Sequence, residues 1–181
     1  TVRPVGDRCN LDCAYCPYHN PAGDEPGQIM SLQMLERTIR QTFEGQNGPT
    51  QVFSWQGGEP LLAGQGFFEE ALALQKECAP PQARVVNEIQ TNGLLLDQEW
   101  CDFFRRNDFR VALSCDGPPS LHDIYRRDRA GKGTGRRVLA AALLLHQRQV
   151  PFTALVTVNR RSAEEPEKVY EYVRRRLRAA A

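Results

Sequence analysis

The chain has 181 residues, enough for one domain with a real core. Its 23 basic and 22 acidic side chains leave a net charge of +1, which argues against a broad nucleic-acid or membrane-surface footprint. No apolar run reaches the length of a membrane span, and no signal peptide is visible after Thr1.

Taken in chain order, the pattern predicts a strand at 1–6 leading into a cysteine-rich loop. A helix follows over 31–45, with Ser31 as N-cap and Leu32, Leu35 and Ile39 at helical spacing. QVFSW at 51–55 reads as a strand ended by Gly57-Gly58-Glu59-Pro60. The next helix covers 66–79, and RVVNEIQT at 84–91 is the third strand, ended by Asn92-Gly93. Asp97 caps a helix to about Asn107. RVALSC at 110–115 is the fourth strand, stopped by Asp116-Gly117-Pro118-Pro119. A loop, a helix over 136–149, a fifth strand over 152–158 and a helix from near Glu165, with Pro166 as a good first residue, complete the series.

Strand–helix alternation repeated five times implies an α/β protein with a parallel sheet and right-handed crossovers. A complete eightfold barrel needs roughly 250 residues, so the prediction is a partial (β/α) barrel. Each unusual motif follows a strand. They therefore meet on one rim, at the carboxyl ends of the strands, where α/β enzymes bind ligands.

The run CNLDCAYC places Cys9, Cys13 and Cys16 at Cys-x3-Cys-x2-Cys spacing. Three thiolates on a short loop suit a cubane iron–sulfur cluster with one iron left without a protein ligand, since four-cysteine ligation is the norm. The alternatives are zinc, which ordinarily takes four protein ligands, and plain burial on one helix face. Asn10, Asp12 and Pro17 interrupt a helical reading. Cys78, Cys101 and Cys115 are scattered through apolar runs and read as buried, unpaired thiols of a reducing, cytoplasmic compartment.

The other motifs each carry two readings. Gly57 and Gly58 let a ligand approach the strand end, and Glu59 can accept from an ammonium group; a plain tight turn is the alternative. Asn92-Gly93 is a common turn pair. Ser114 alternates with Ala112 and Asp116, so an inward Ser114 can bind a carboxylate or ribose while Cys115 packs under the helices. Arg126 or Arg127, after His122-Asp123, can clamp a carboxylate or form a surface ion pair. Gly131, Gly133 and Gly135 match no phosphate-binding fingerprint. Arg174, Arg175, Arg176 and Arg178 read as a solvated helix end. His19, His122 and His146 assemble no catalytic triad.

In this order, CNLDCAYC, WQGGEP, TNGLLLD, LSCDGPPSLHD and TVN resemble the radical S-adenosylmethionine superfamily over Val5 to about Arg161. More closely, they are similar to the anaerobic sulfatase-maturating branch, which carries a C-terminal cluster-binding (SPASM) extension. The resemblance implies a [4Fe–4S] cluster on Cys9, Cys13 and Cys16, whose open iron chelates the amino and carboxylate groups of S-adenosylmethionine. It implies Gly57, Gly58 and Glu59 along the methionine moiety, the Tyr15 backbone at the adenine, and Ser114 and Arg126 at the methionine end or ribose. Gln56 would lie near the substrate.

The activity implied is cleavage of S-adenosylmethionine to a 5′-deoxyadenosyl radical, which takes a hydrogen from the β-carbon of a sulfatase cysteine or serine. Loss of a second electron and hydrolysis leave formylglycine. The implied partners are a sulfatase polypeptide and a reductant for the cluster, with neither nucleic acid nor membrane. The resemblance assigns residues 1–181 to the radical core, with about five βα units. It places the sixth strand, the auxiliary clusters and the proton acceptor outside them, so no catalytic residue is assigned. The chain departs from the pattern at Pro17 and at Gly135-Arg136, where the family often has aromatics. Two other readings stand beside it: a peptide maturase with a different modification, and a zinc-stabilised binding module without catalysis.

Overall fold

Four parallel strands form one sheet in the order β1-β2-β3-β4 in the computed structural model, which describes residues 1–18, 28–45 and 48–179. They are β1 (Thr50–Trp55), β2 (Arg84–Thr91), β3 (Arg110–Ser114) and β4 (Phe152–Leu155). Each consecutive pair is joined through helix, as parallel strands require. The helices are α1 (Leu32–Gly45), α2 (Gln65–Cys78), α3 (Gln98–Arg106), α4 (Pro119–Tyr125), α5 (Gly135–Gln147), α6 (Arg160–Glu164) and α7 (Pro166–Glu171). A 3-10 turn (Pro60–Ala63) follows β1, and a π-helical turn (Tyr172–Leu177) extends α7. His19 lies outside the described residues.

The expected caps are present. Met34 N donates to Ser31 Oγ at 3.2 Å, and Trp100 N to Asp97 Oδ1 at 2.8 Å. The strand expected at 1–6 is reduced to one parallel bridge, Val2 with Trp55. Pro4 has no N–H to give a ladder, and Gly6 turns the chain at φ 60°. The fifth predicted strand is shorter than expected, ending at Leu155. Two short helices add to the predicted series, α4 where the pattern predicts a loop and α6 in the stretch between the fifth strand and the last helix. Pro119 occupies the first turn of α4, a favoured place for proline that the reading of Pro118-Pro119 as a strand stop overlooked. Asn159 caps α6 in a reciprocal box with Ser162.

Alternate strand residues face the helices: Phe53 and Trp55 from β1, Ile89 from β2, Val111 and Leu113 from β3, Phe152 from β4. They join Phe68, Trp100, Phe103 and Phe104 in one core. Inside it, Trp55 Nε1 donates to Asn87 Oδ1 at 2.8 Å, and the Asn87 and Gln75 amides pair reciprocally at 2.8 and 2.9 Å. Cys101 and Cys115 are buried in this core as free thiols, as expected. Ser54, Glu88, Gln90, Ala112 and Thr153 point the other way, into a hollow of about 480 Å³. This one-sided helical cover is the wall of a partial barrel, and it gathers the loops after the strands on one rim.

Candidate cluster and cofactor site

The rim is built first by glycine. Gly58 N donates to Gly6 O at 2.9 Å and Glu59 N to Arg8 O at 2.8 Å, so the segment entering the cysteine loop lies against the end of β1. A β-carbon at Gly58 would stand 2.0 Å from Arg8 O, and one at Gly57, where φ is 122°, 2.7 Å from Gly6 O. The backbone that these glycines admit is the protein's own. Gln56 lies beside them, donating from Nε2 to Thr1 Oγ1 at 3.0 Å.

Glu59 is fully buried and accepts three hydrogen bonds. Thr91 Oγ1 donates to Oε1 at 2.8 Å, Leu61 N to Oε1 at 3.2 Å, and Asn92 N to Oε2 at 2.8 Å. Burial pushes its pKa up to about 7 against the pull of these donors. The carboxylate thus ties the end of β1 to the end of β2; a ligand ammonium would share an acceptor already in use.

Asn92 reaches onward to the cysteine loop. Its Nδ2 donates to Asn10 Oδ1 at 2.7 Å and to Cys9 Sγ at 3.7 Å, and Leu11 N points at the same sulfur at 3.4 Å. Two N–H donors aimed at one sulfur suit a thiolate ligand, because they stabilise its charge. The loop is held from its other side by the segment after α4. Leu11 bridges Asp128, Asp12 N donates to Arg127 O at 2.8 Å, Ala14 N to Tyr125 O at 2.9 Å, and Arg129 Nε to Cys9 O at 2.9 Å.

Cys9, Cys13 and Cys16 are free thiols on this pinned loop, Cys13 buried and the others half-buried. Burial pushes Cys13 up to about 11, and the neighbouring Cys9 and Cys16 add to the rise while Arg126 opposes it. Metal binding to such thiols therefore releases protons. Among the described residues no three cysteine, histidine or acidic side chains surround a point where one metal ion would sit. The three thiols lie close enough to raise one another's pKa, and three neighbouring thiols supply the donor set of a four-iron cube that leaves one iron without a protein ligand.

Beside the loop, Asp116 gathers four segments. Its Oδ2 accepts from Arg126 Nε at 3.0 Å and from the Tyr15 hydroxyl, its Oδ1 accepts from Thr157 N at 3.0 Å, and its own N–H donates to His122 Nδ1 at 3.2 Å. Arg126 also lies over the Tyr15 ring, 5.5 Å from its centroid. The remaining edge of the guanidinium makes no hydrogen bond to another described residue. Burial, with the Arg126 charge, pushes His122 down to about 4, so the ring is neutral. Ser114 ends β3 on the face away from the helices, and its hydroxyl bonds to no other described residue.

The structure therefore brings the three cysteines, Tyr15, Gly57, Gly58, Glu59, Ser114 and Arg126 onto one rim, with Gln56 at its edge. Sequence reasoning treated Asn92 and Asp116 as turn residues and left His122 and Thr134 without roles. A carboxylate directly after a strand, ten residues before an arginine, was the signal for Asp116. Gly133 and Gly135 are explained by packing: a β-carbon at Gly133 would stand 2.3 Å from the Asp123 carboxyl, and one at Gly135 3.0 Å from Pro119.

Three free cysteines on a rim loop of a partial parallel barrel fit an iron–sulfur centre, and comparison with known proteins gives the family. The chain belongs to the radical SAM superfamily, whose family model matches residues 4–173. That family uses a [4Fe–4S] cluster and S-adenosylmethionine. The chain is 41% identical over 172 residues to the serine-type anaerobic sulfatase-maturating enzyme of Klebsiella aerogenes, covering 94% of this chain and 42% of that protein. It is 37% identical to the cysteine-type enzyme of Clostridium perfringens, covering 94% and 47%. The solved structure of native anSMEcpe with bound AdoMet and Cp18Cys peptide superposes with a TM-score of 0.85 at 37% identity, over 95% of this chain and 46% of that one. The chain spans less than half the length of these relatives.

Proposed function

We propose that residues 1–181 are the radical core of a longer anaerobic sulfatase-maturating enzyme, which oxidises a cysteine or serine of a sulfatase to formylglycine. The observation that carries this reading is the pinned loop of three free thiols beside an arginine with one open edge. The similarity to both serine- and cysteine-type maturases supports the substrate. Among the described residues no helix is long and apolar enough to cross a membrane. The partners proposed are the sulfatase polypeptide and a reductant, in the cytoplasm.

When bound, the cluster supplies the electron that cleaves S-adenosylmethionine to a 5′-deoxyadenosyl radical able to take a hydrogen atom from the substrate. The chain's own residues prepare that site. Cys9, Cys13 and Cys16 would hold three irons and leave one open to the ligand's amino and carboxylate groups. Asn92 and Leu11 stabilise the Cys9 thiolate by N–H donation. Arg126, with Nε fixed on Asp116, offers its outer edge to the ligand carboxylate. Ser114 would offer its hydroxyl to the carboxylate or ribose, and the Tyr15 backbone would bind the adenine. Gly57 and Gly58 bring the cysteine loop onto the strand end, where they would lie along the methionine moiety. Glu59 braces that arrangement from below, and Gln56 stands near the substrate.

The test incubates the reduced full-length protein with sulfatase-derived cysteine and serine peptides. Mass spectrometry is expected to show the aldehyde, and chromatography 5′-deoxyadenosine. Deoxyadenosine without aldehyde from either peptide would show instead a maturase with another modification.

A further inference from the structure

We propose that His122 and Thr134 are positioning residues for Arg126, joined to it in a closed ring of hydrogen bonds that fixes its guanidinium at the S-adenosylmethionine site. The inference rests on the reading of Arg126 as a ligand contact. The ring starts at the Asp116 N–H, which donates to His122 Nδ1 at 3.2 Å. Nδ1 is therefore the bare nitrogen, and Nε2 carries the hydrogen. Nε2 donates to Thr134 Oγ1 at 3.0 Å, and the Thr134 hydroxyl donates to the Arg126 carbonyl at 3.0 Å. Arg126 Nε closes the circuit on Asp116 Oδ2 at 3.0 Å. Each link of the ring pairs one donor with one acceptor, the outer edge of the guanidinium lies outside it, and none of the four residues is more than 8% exposed.

Thr134 gives up its ordinary duty to take part. It is the N-cap of α5, where a threonine hydroxyl normally accepts from the first turn. It makes no such bond; Gly135 N is satisfied by Asp123 Oδ1 at 2.7 Å instead. The hydroxyl is turned back to the C-cap of α4, which is Arg126. The arginine is thus held at both ends, by its carbonyl through Thr134 and His122 and by Nε through Asp116. Its long side chain is ordered before any ligand arrives, which removes much of the entropy cost of binding. His122 and Thr134 reach Arg126 and Asp116 and would touch no ligand atom themselves. They act on affinity only through the arginine.

The experiment is a double-mutant cycle on cluster-loaded protein, with S-adenosylmethionine affinity read by calorimetry and iron content and melting temperature read alongside. Thr134→Val removes the hydroxyl at nearly constant shape. It is expected to keep its iron and weaken S-adenosylmethionine by up to about tenfold, the upper end of the scale for one neutral hydrogen bond. Thr134→Ser restores the hydroxyl and is expected to restore affinity. In an Arg126→Ala background, Thr134→Val is expected to change affinity no further. Equal affinity in Thr134→Val and wild type, or the same loss with and without Arg126, overturns the ring. Unchanged affinity in Arg126→Ala alone overturns the underlying reading of Arg126, and is told apart because the arginine variant itself is then silent. If Thr134→Val yields no folded protein, His122→Gln, which loses the acceptor for Asp116 N–H, goes through the same cycle with the same criteria.

Discussion

Gly58 lies so close to Arg8 that a β-carbon on it would stand 2.0 Å from the Arg8 carbonyl oxygen. The contact is backbone against backbone, one residue before Cys9, so no flexible side chain can yield. Gly58→Ala is expected to push the cysteine loop off the end of β1. The expected cost is about 1–3 kcal/mol of stability, as for other overpacked sites, with iron lost on reconstitution. Gly66→Ala is the control, because nothing lies within 4 Å of its added carbon. Thermal melts and iron analysis of the two variants check this; matching values would dismiss the contact.

Glu59 gives a pH signature. Folded, it holds its proton up to about 7, against 4.5 for an ordinary glutamate, so folding takes up a proton between those values. Its contribution to stability is full below pH 4.5 and is lost as the pH rises through about 7. His122 runs the other way: its folded value of about 4 lies below the ordinary 6.5, so its contribution is present above 6.5 and lost as pH falls through 4. A difference curve isolates Glu59. Between pH 4.5 and 7, wild type is expected to lose stability relative to Glu59→Gln in denaturant titrations, whereas parallel curves would show that the carboxyl is ionised throughout.

Asn87 carries the polar part of the core. Asn87→Leu strands the Trp55 indole N–H and the Gln75 amide, both of which it now satisfies. Each stranded group costs about 1–3 kcal/mol, so a loss of a few kcal/mol is expected in denaturant unfolding. Iron binding by the folded fraction should be unaffected, because these groups lie beneath the sheet and not on its rim.

The fold was legible in the sequence wherever a local rule decided it. Asp97 and Ser31 announced their helices, and the strand periodicity placed Leu113 and Cys115 in the core and Ser114 opposite. What stayed hidden was decided by tertiary contact. The 1–6 segment looked like a strand, but Pro4 and a turning Gly6 left it one bridge. The cysteine spacing was plain, whereas the segment that pins it, residues 125–129, lies more than 100 positions away. Asp116 and Asn92 looked like turn residues because their partners, Tyr15, Arg126, Cys9 and Asn10, are set by the barrel and not by neighbours in sequence.

An open iron on the cluster is tested by the electron paramagnetic resonance spectrum of the anaerobically reconstituted, reduced protein, recorded before and after S-adenosylmethionine is added. The expected result is the signal of one reduced [4Fe–4S] cluster that changes shape on addition, because the iron without a cysteine would take the ligand. Cys9→Ala, Cys13→Ala and Cys16→Ala should each lose that signal, while Cys78→Ala, Cys101→Ala and Cys115→Ala keep it. A colourless protein holding stoichiometric zinc, or a cluster whose spectrum ignores S-adenosylmethionine, would contradict it.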